Sequence, residues 1–246
     1  MSLLSKFGIA QARQAASRSA SASNGRTNLP LHAPTSTPGP ATTPRPARFS
    51  NGLKEFLWQL DGIGHGRILD LGAVWQSTVT FFIERDFKIY SEDMMSAWRQ
   101  FLKEEDEQSR AAVAAKTTVL DKSAGAVAER FLASNLGHVP DSFDAILLWD
   151  LLEYLDRETV TRLMARLTTM VRDGGAVLAV FHTKMPEQFC RYRVLDANNL
   201  ELVPAPALVP PRQVYQNREI QDLFSRFRTV KSFVGRDQLR ENVFVK

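Results

Sequence analysis

From residue 67 onward, short apolar runs alternate with stretches whose apolar residues recur every three or four positions. That alternation narrows the fold more than any other feature. Residues 67–71, Arg-Ile-Leu-Asp-Leu, close on Gly72, and residues 87–91 close on Glu92 and Asp93. Phe143–Trp149 and residues 176–181 are two further runs. Runs of this kind suit buried strands of a parallel sheet, where both faces are covered and no polar alternation is needed. Before the first run, Leu53, Phe56, Leu57 and Leu60 share one helical face, and between later runs Met95, Trp98, Phe101 and Leu102 share another. Val160, Leu163, Met164, Leu167, Met170 and Val171 form the inward stripe of another helix, which Asp173-Gly174-Gly175 should end. Ser77 or Thr78 is placed to cap a helix that turns Val79, Phe82 and Ile83 inward, and residues 130–134 read as a short third strand.

Strands alternating with helices imply an α/β, doubly wound, mostly parallel sheet with helices on both faces. Ligands of such sheets sit beyond the carboxyl ends of the strands, where the winding reverses. The positions to watch are therefore 72–78, 92–95, 135–138, 149–154 and 182–185. After the fifth strand, residues 190–194 and 200–203 read as a β-hairpin, followed by a connector stiffened by Pro204, Pro206, Pro210 and Pro211. A helix over 217–227, with Ile220, Leu223, Phe224 and Phe227 inward, precedes two strands at 229–234 and 242–245.

Charge divides the chain. Residues 1–50 hold six basic residues and no acidic one, which leaves 25 basic and 27 acidic residues for the rest. The alkaline pI of about 9.3 thus belongs to the N-terminal end and gives the body no basic face. No aromatic–basic interleaving appears there either, so no nucleic-acid partner is expected. Residues 1–48, rich in Ala, Ser, Pro and Arg, read as a disordered tail, and 49–246 as one domain. The first 19 residues suit an organellar transit peptide or a membrane-surface helix as well as the solvated tail of a cytoplasmic protein, the location expected here. No apolar run reaches the roughly 18 residues of a membrane span. The lone Cys190 excludes a disulfide framework, and His32, His65, His138 and His182 lack metal-ligand spacing.

Several of these segments, taken in order, form a recognisable set. They are Leu69-Asp70-Leu71-Gly72 at the first strand, Asp93-Met94 after the second, Phe143-Asp144-Ala145-Ile146 with Asp150-Leu-Leu-Glu153 at the fourth, and Gly174-Gly175 before the fifth. Over roughly residues 52–184 the set resembles the class I S-adenosylmethionine-dependent methyltransferases. The resemblance implies a Rossmann-like sheet of seven strands with an antiparallel C-terminal strand and a hairpin insertion after the fifth. It also implies S-adenosylmethionine as cofactor, an unidentified methyl acceptor, and a cofactor site at Asp70, Gly72, Ala73, Glu92, Asp93, Met94, Asn135, Leu136, Trp149 and Asp150. Insertions at the hairpin's position commonly cover the substrate. Arg191, Arg193 and Arg212 would line such a cover positively, suiting an anionic small molecule; a solvated hairpin on the sheet edge is the plainer alternative.

The chain departs from the family in its glycine-rich turn. Val74 and Gln76 stand where the second and third glycines belong, and Trp75 adds a ring beside them. Those glycines let the backbone take φ > 0 and approach a ligand closely, which a β-branched residue does poorly. Two functions therefore stay open: a methyltransferase with a rebuilt loop, or a non-catalytic binding or scaffold domain. Individual residues are equally two-sided. Asp70 serves a ligand or its own turn; Asp93 holds ribose hydroxyls or caps a helix, sharing a strand face with Phe87, Ile89 and Ser91 as Glu92 does not. Asn135 contacts adenine or makes a turn, Trp149 packs on a sulfonium or in the core, and His182 is a general base or an ordinary polar residue. Tyr154 stands where the family often has His.

Overall fold

The computed structural model describes residues 47–118 and 120–246; the expected tail, apart from Ala47 and Arg48, lies outside the described residues. Strand β1 (Arg48–Phe49) leads into helix α1 (Asn51–Gln59), which starts where Ser50 Oγ accepts the N–H of Leu53 at 2.9 Å. Strands β2 (Arg67–Asp70) and β3 (Lys88–Ser91) flank α2 (Gln76–Ile83). Helices α3 (Met94–Ala114) and α4 (Ala124–Asn135) precede β4 (Phe143–Trp149), and α5 (Arg157–Met170) runs into β5 (Val171–His182). The chain ends through β6 (Cys190–Val194), β7 (Asn199–Pro204), α6 (Asn217–Leu223), β8 (Arg228–Val234) and β9 (Leu239–Val245).

Strand β4 is buried at every position and lies inside the main sheet, whose order is β3-β2-β4-β5-β9-β8. Strands β3, β2, β4 and β5 run parallel, and β9 is antiparallel to both of its neighbours. Because β2 pairs with β3 on one side and β4 on the other, the winding reverses at β2, and a crevice opens between its carboxyl end and that of β4. Side chains alternate across the sheet. Ala145, Leu147 and Trp149 pack with Leu53 and Phe56 of α1 and Phe82 of α2, whereas Ile146 and Leu148 join Trp98, Phe131 and Leu163 of α3, α4 and α5.

Six strands, not seven, make up the main sheet among the described residues. The third strand expected at 130–134 is part of α4: Ala128, Phe131 and Leu132 bury themselves at i, i+3 and i+4, and Ser123 caps the helix. A strand there would have buried alternate residues instead. Two smaller corrections concern α2 and α5. Helix α2 buries Thr78, Phe81 and Phe82 and leaves Ile83 exposed; Trp75 is its N-cap, without a side-chain hydrogen bond. Helix α5 stops at Met170, and Val171 already pairs with Phe143 in β5. The next pair joins Ala145 to Ala176, so residues 172–175 bulge out, with Gly174 at φ +81° where a side chain would strain the turn.

A second, three-stranded antiparallel sheet, β1-β7-β6, carries the hairpin after β5. Arg48 pairs with Leu200 and Phe49 with Asn199, which puts Arg48 in the folded body rather than in the tail. The hairpin is fastened to α2, where Thr78 Oγ1 accepts the N–H of Val194 at 2.9 Å, and this contact turns β6 toward the crevice.

Candidate functional site

Asp70 ends β2 beneath the crevice floor. It is buried, and its Oδ1 accepts the N–H of Gly72 at 2.9 Å and the indole N–H of Trp149 at 2.7 Å. Burial raises its pKa to about 6 against the opposing pull of the two hydrogen bonds, and the charge of Asp93 adds to the rise. The Asp70–Gly72 turn is therefore tied to the end of β4. Trp149 lies directly over Gly72 and adopts φ +53°, a strained conformation for a bulky residue. Its ring stacks on Tyr192 of β6, with centroids 5.3 Å apart and planes 5° from parallel. The Tyr192 hydroxyl in turn donates to Asp150 Oδ2 at 3.2 Å.

Asp93 is the N-cap of α3. Its carboxylate accepts from the backbone N–H of Ser96 at 3.0 Å and the Ser96 hydroxyl at 2.8 Å. The Arg191 guanidinium donates to Asp93 Oδ2 at 2.7 Å and to Ser96 Oγ at 3.0 Å. Asp93 thus caps the helix and also faces the crevice, where a cation from the hairpin holds it.

Gly72, Ala73, Asp93, Trp149 and Asp150 line one hollow together with Met95, Arg191 and Tyr192. The other expected residues go elsewhere. Glu92 points outward, 3.5 Å from His138 Nε2. Met94 and Leu136 are core residues. Asn135 donates to the carbonyl of Phe131 in its own helix at 2.8 Å and borders a separate groove between α3 and α4. Val74, at the second glycine position, is 62% exposed, so the hollow is filled by Trp149 and the hairpin rather than by that residue. What remains of the hollow is about 30 Å³, room for one or two water molecules and not for a nucleoside.

A second group of polar side chains lies where β4 and β5 end side by side. Glu153, fully buried, accepts the backbone N–H of His182 at 2.9 Å, and its other oxygen lies 2.5 Å from His182 Nδ1. Burial alone would push the His182 pKa down, but the hydrogen bond and charge of Glu153 outweigh it and the pKa rises. Burial likewise raises Glu153, against His182, and carries Asp150 to about 7. Sequence reading placed Asp150 and His182 after their strands but gave no reason to join them through Glu153. The joining depends on β4 and β5 being neighbours, which spacing along the chain does not reveal. Arg193, expected to line a cover, pairs with Glu201 across the hairpin instead.

No protein-family model matches the sequence, and no curated protein does. Solved structures do resemble it. Burkholderia thailandensis 1,6-didemethyltoxoflavin-N1-methyltransferase, solved with 1,6-didemethyltoxoflavin and S-adenosylhomocysteine bound, is 15% identical with a TM-score of 0.44 over 79% of this chain and 76% of that one. An S-adenosylmethionine-dependent methyltransferase from Aquifex aeolicus is 11% identical with a TM-score of 0.42 over 80% of this chain and 89% of its own. Another from Mesorhizobium loti is 14% identical with a TM-score of 0.41, covering 78% and 96%. The chain is similar to S-adenosylmethionine-dependent methyltransferases.

Proposed function

We propose that the chain is an S-adenosylmethionine-dependent methyltransferase whose cofactor crevice is shut by the hairpin β6–β7 in the conformation described. One observation carries this reading. The Asp70-Leu-Gly72 turn after β2 and Asp93 after β3 converge on a single hollow at the point where the sheet's winding reverses, with Asp93 rather than Glu92 turned inward. A carboxylate there can accept both hydroxyls of a ribose once Arg191 is withdrawn.

As arranged, the residues do not accommodate the cofactor. Arg191 takes the Asp93 carboxylate, and Trp149 covers the glycine turn. Binding therefore requires the hairpin to move, and affinity is reduced by the fraction of molecules that are closed. The acceptor is unassigned. An anionic acceptor draws little support from the arginines, since Arg191 and Arg193 are already paired with Asp93 and Glu201.

The test is calorimetric titration of the full chain and of Arg191→Ala with S-adenosylhomocysteine and S-adenosylmethionine. Freeing a latch worth about 1 kcal/mol should tighten binding about fivefold. Adding Asp93→Ala to Arg191→Ala should remove the gain. A second reading rests on the Trp149–Tyr192 stack, which fills the hollow independently of Arg191. If neither the wild type nor Arg191→Ala binds either ligand, the domain is a non-catalytic module and the enzyme reading falls.

A further inference from the structure

We propose that Asp150, Glu153 and His182 form a binding site for one divalent transition-metal ion, of the zinc or manganese kind. These residues lie at the ends of β4 and β5, where Asp150 also borders the Asp70–Asp93 hollow, and metal binding is tested below without S-adenosylmethionine. Strand pairing brings them together. Asp150 directly follows β4, Glu153 closes the single 3₁₀ turn behind it, and His182 is the last residue of the adjacent β5. One ligand atom from each lies within 4.8 Å of the other two.

Three features set the group apart from a surface cluster of acids. First, Asp150 and Glu153 are both buried, and among the described residues Asp150 has no ion pair, while Glu153 has only His182. Two buried carboxylates thus face one imidazole, with the Tyr192 hydroxyl donating to Asp150. Second, the Tyr154 hydroxyl is buried and has no hydrogen-bond partner among the described residues. It lies within electrostatic reach of Asp150 and Glu153. Buried hydroxyls are nearly always satisfied, and a water on a metal ion would supply the missing acceptor. Third, His182 and Cys190 border a hollow of about 290 Å³ beneath residues 184–188, which gives an ion a way in.

The donor set chooses the ion. One imidazole nitrogen with two carboxylates suits zinc, manganese or ferrous iron, whereas calcium and magnesium prefer oxygen alone. The close Glu153–His182 contact marks where the ion would sit. The proton shared there is replaced by the cation, and Glu153 keeps the backbone N–H of His182 as a hydrogen-bond partner on its other oxygen.

The experiment uses the full chain after dialysis against a chelator, titrated with ZnCl₂, MnCl₂ and CaCl₂ by calorimetry, with melting curves and elemental analysis alongside. One zinc or manganese ion per chain should bind, raise the melting temperature and outcompete calcium. Asp150→Asn and His182→Gln should each weaken binding at least tenfold. No heat and no thermal shift with zinc or manganese would overturn the site, as would unchanged affinity in both variants. If the variants fail to fold, Co²⁺ titration of the wild type decides. Visible ligand-field bands that zinc displaces support the site, and a featureless spectrum overturns it.

Discussion

Gly72 and Trp149 occupy adjoining halves of one space: a Cβ on Gly72 would come 2.5 Å from the indole Nε1. The ring cannot retreat cheaply, because Asp70 holds its N–H and Tyr192 stacks on its face. Gly72→Ala should therefore destabilise the domain by about 1–3 kcal/mol, the range for overpacking a filled core. Adding Trp149→Leu should restore part of that loss, so the double variant is less destabilised than the two single effects combined. Urea unfolding of the four proteins measures this. Full additivity would show that the ring does not stand over the turn.

Asp93 and Arg191 join residues nearly a hundred positions apart, and Asp93 also caps α3. The two roles can be separated. Arg191→Ala removes the ion pair and the bond to Ser96 but leaves the cap, and the partly exposed groups make the pair worth about 1 kcal/mol. Asp93→Ala loses the cap as well, roughly another 1 kcal/mol. A double-mutant cycle should give a coupling near the smaller value, with Asp93→Ala the costlier single change. Equal costs would mean that Asp93 does not cap the helix in solution.

How much of this was legible beforehand follows the range of the forces involved. Phe143–Trp149 was readable because five consecutive apolar residues after Asp144 have few other uses, and α1 because its apolar spacing is helical. Residues 130–134 misled because a five-residue window holds too little periodicity; Ala128 lies just outside it and completes the helical stripe with Phe131 and Leu132. At the site, Asp93 lines the hollow while Glu92 lies beside His138, just past the end of β3. The stacking of Tyr192 on Trp149 and the arrival of Arg191 depend on how a hairpin 40 residues downstream folds back, which no local pattern encodes. Nor does any local pattern show which way Val74 points. The turn can swing its altered residue into solvent, whereas Trp149 is fixed at the end of a buried strand.

Arg48 fixes the first strand to the last. It pairs with Asp237 and with Glu241, whose second oxygen accepts the N–H of Gly52 at 2.7 Å. Glu241 is buried and Asp237 is not, so the two bonds are unequal. Arg48→Ala leaves a buried carboxylate with only an amide partner and should cost about 2–3 kcal/mol, somewhat below the cost of breaking a fully buried pair. Asp237→Ala should cost less than 1 kcal/mol. Glu241→Gln in the Arg48→Ala background should recover stability, because the stranded charge is gone. Chemical denaturation of these variants checks the order, and an Asp237→Ala loss equal to that of Arg48→Ala would contradict it.

Asp70 makes stability depend on pH in a direction opposite to that of a salt-bridged acid. Its pKa rises from 3.8 to about 6 on folding, chiefly through burial, so the folded state holds this proton more tightly than the unfolded chain does. Below pH 4 both states are protonated and the group has no effect. Between about pH 4 and 6 the unfolded state ionises first, and stability falls as pH rises. Above that window the loss is complete, about 3 kcal/mol for a rise of roughly two units at 1.36 kcal/mol per unit. Asp70→Asn removes the titration while keeping an oxygen for Gly72 and Trp149. Other groups titrate alike in both proteins, Asp150 among them, so the stability of Asp70→Asn minus that of the wild type isolates Asp70. That difference should climb by up to about 3 kcal/mol from pH 4 to 6.5 and then level off. A flat difference across the window would mean that the carboxylate is better solvated, and the crevice floor more open, than the closed arrangement allows.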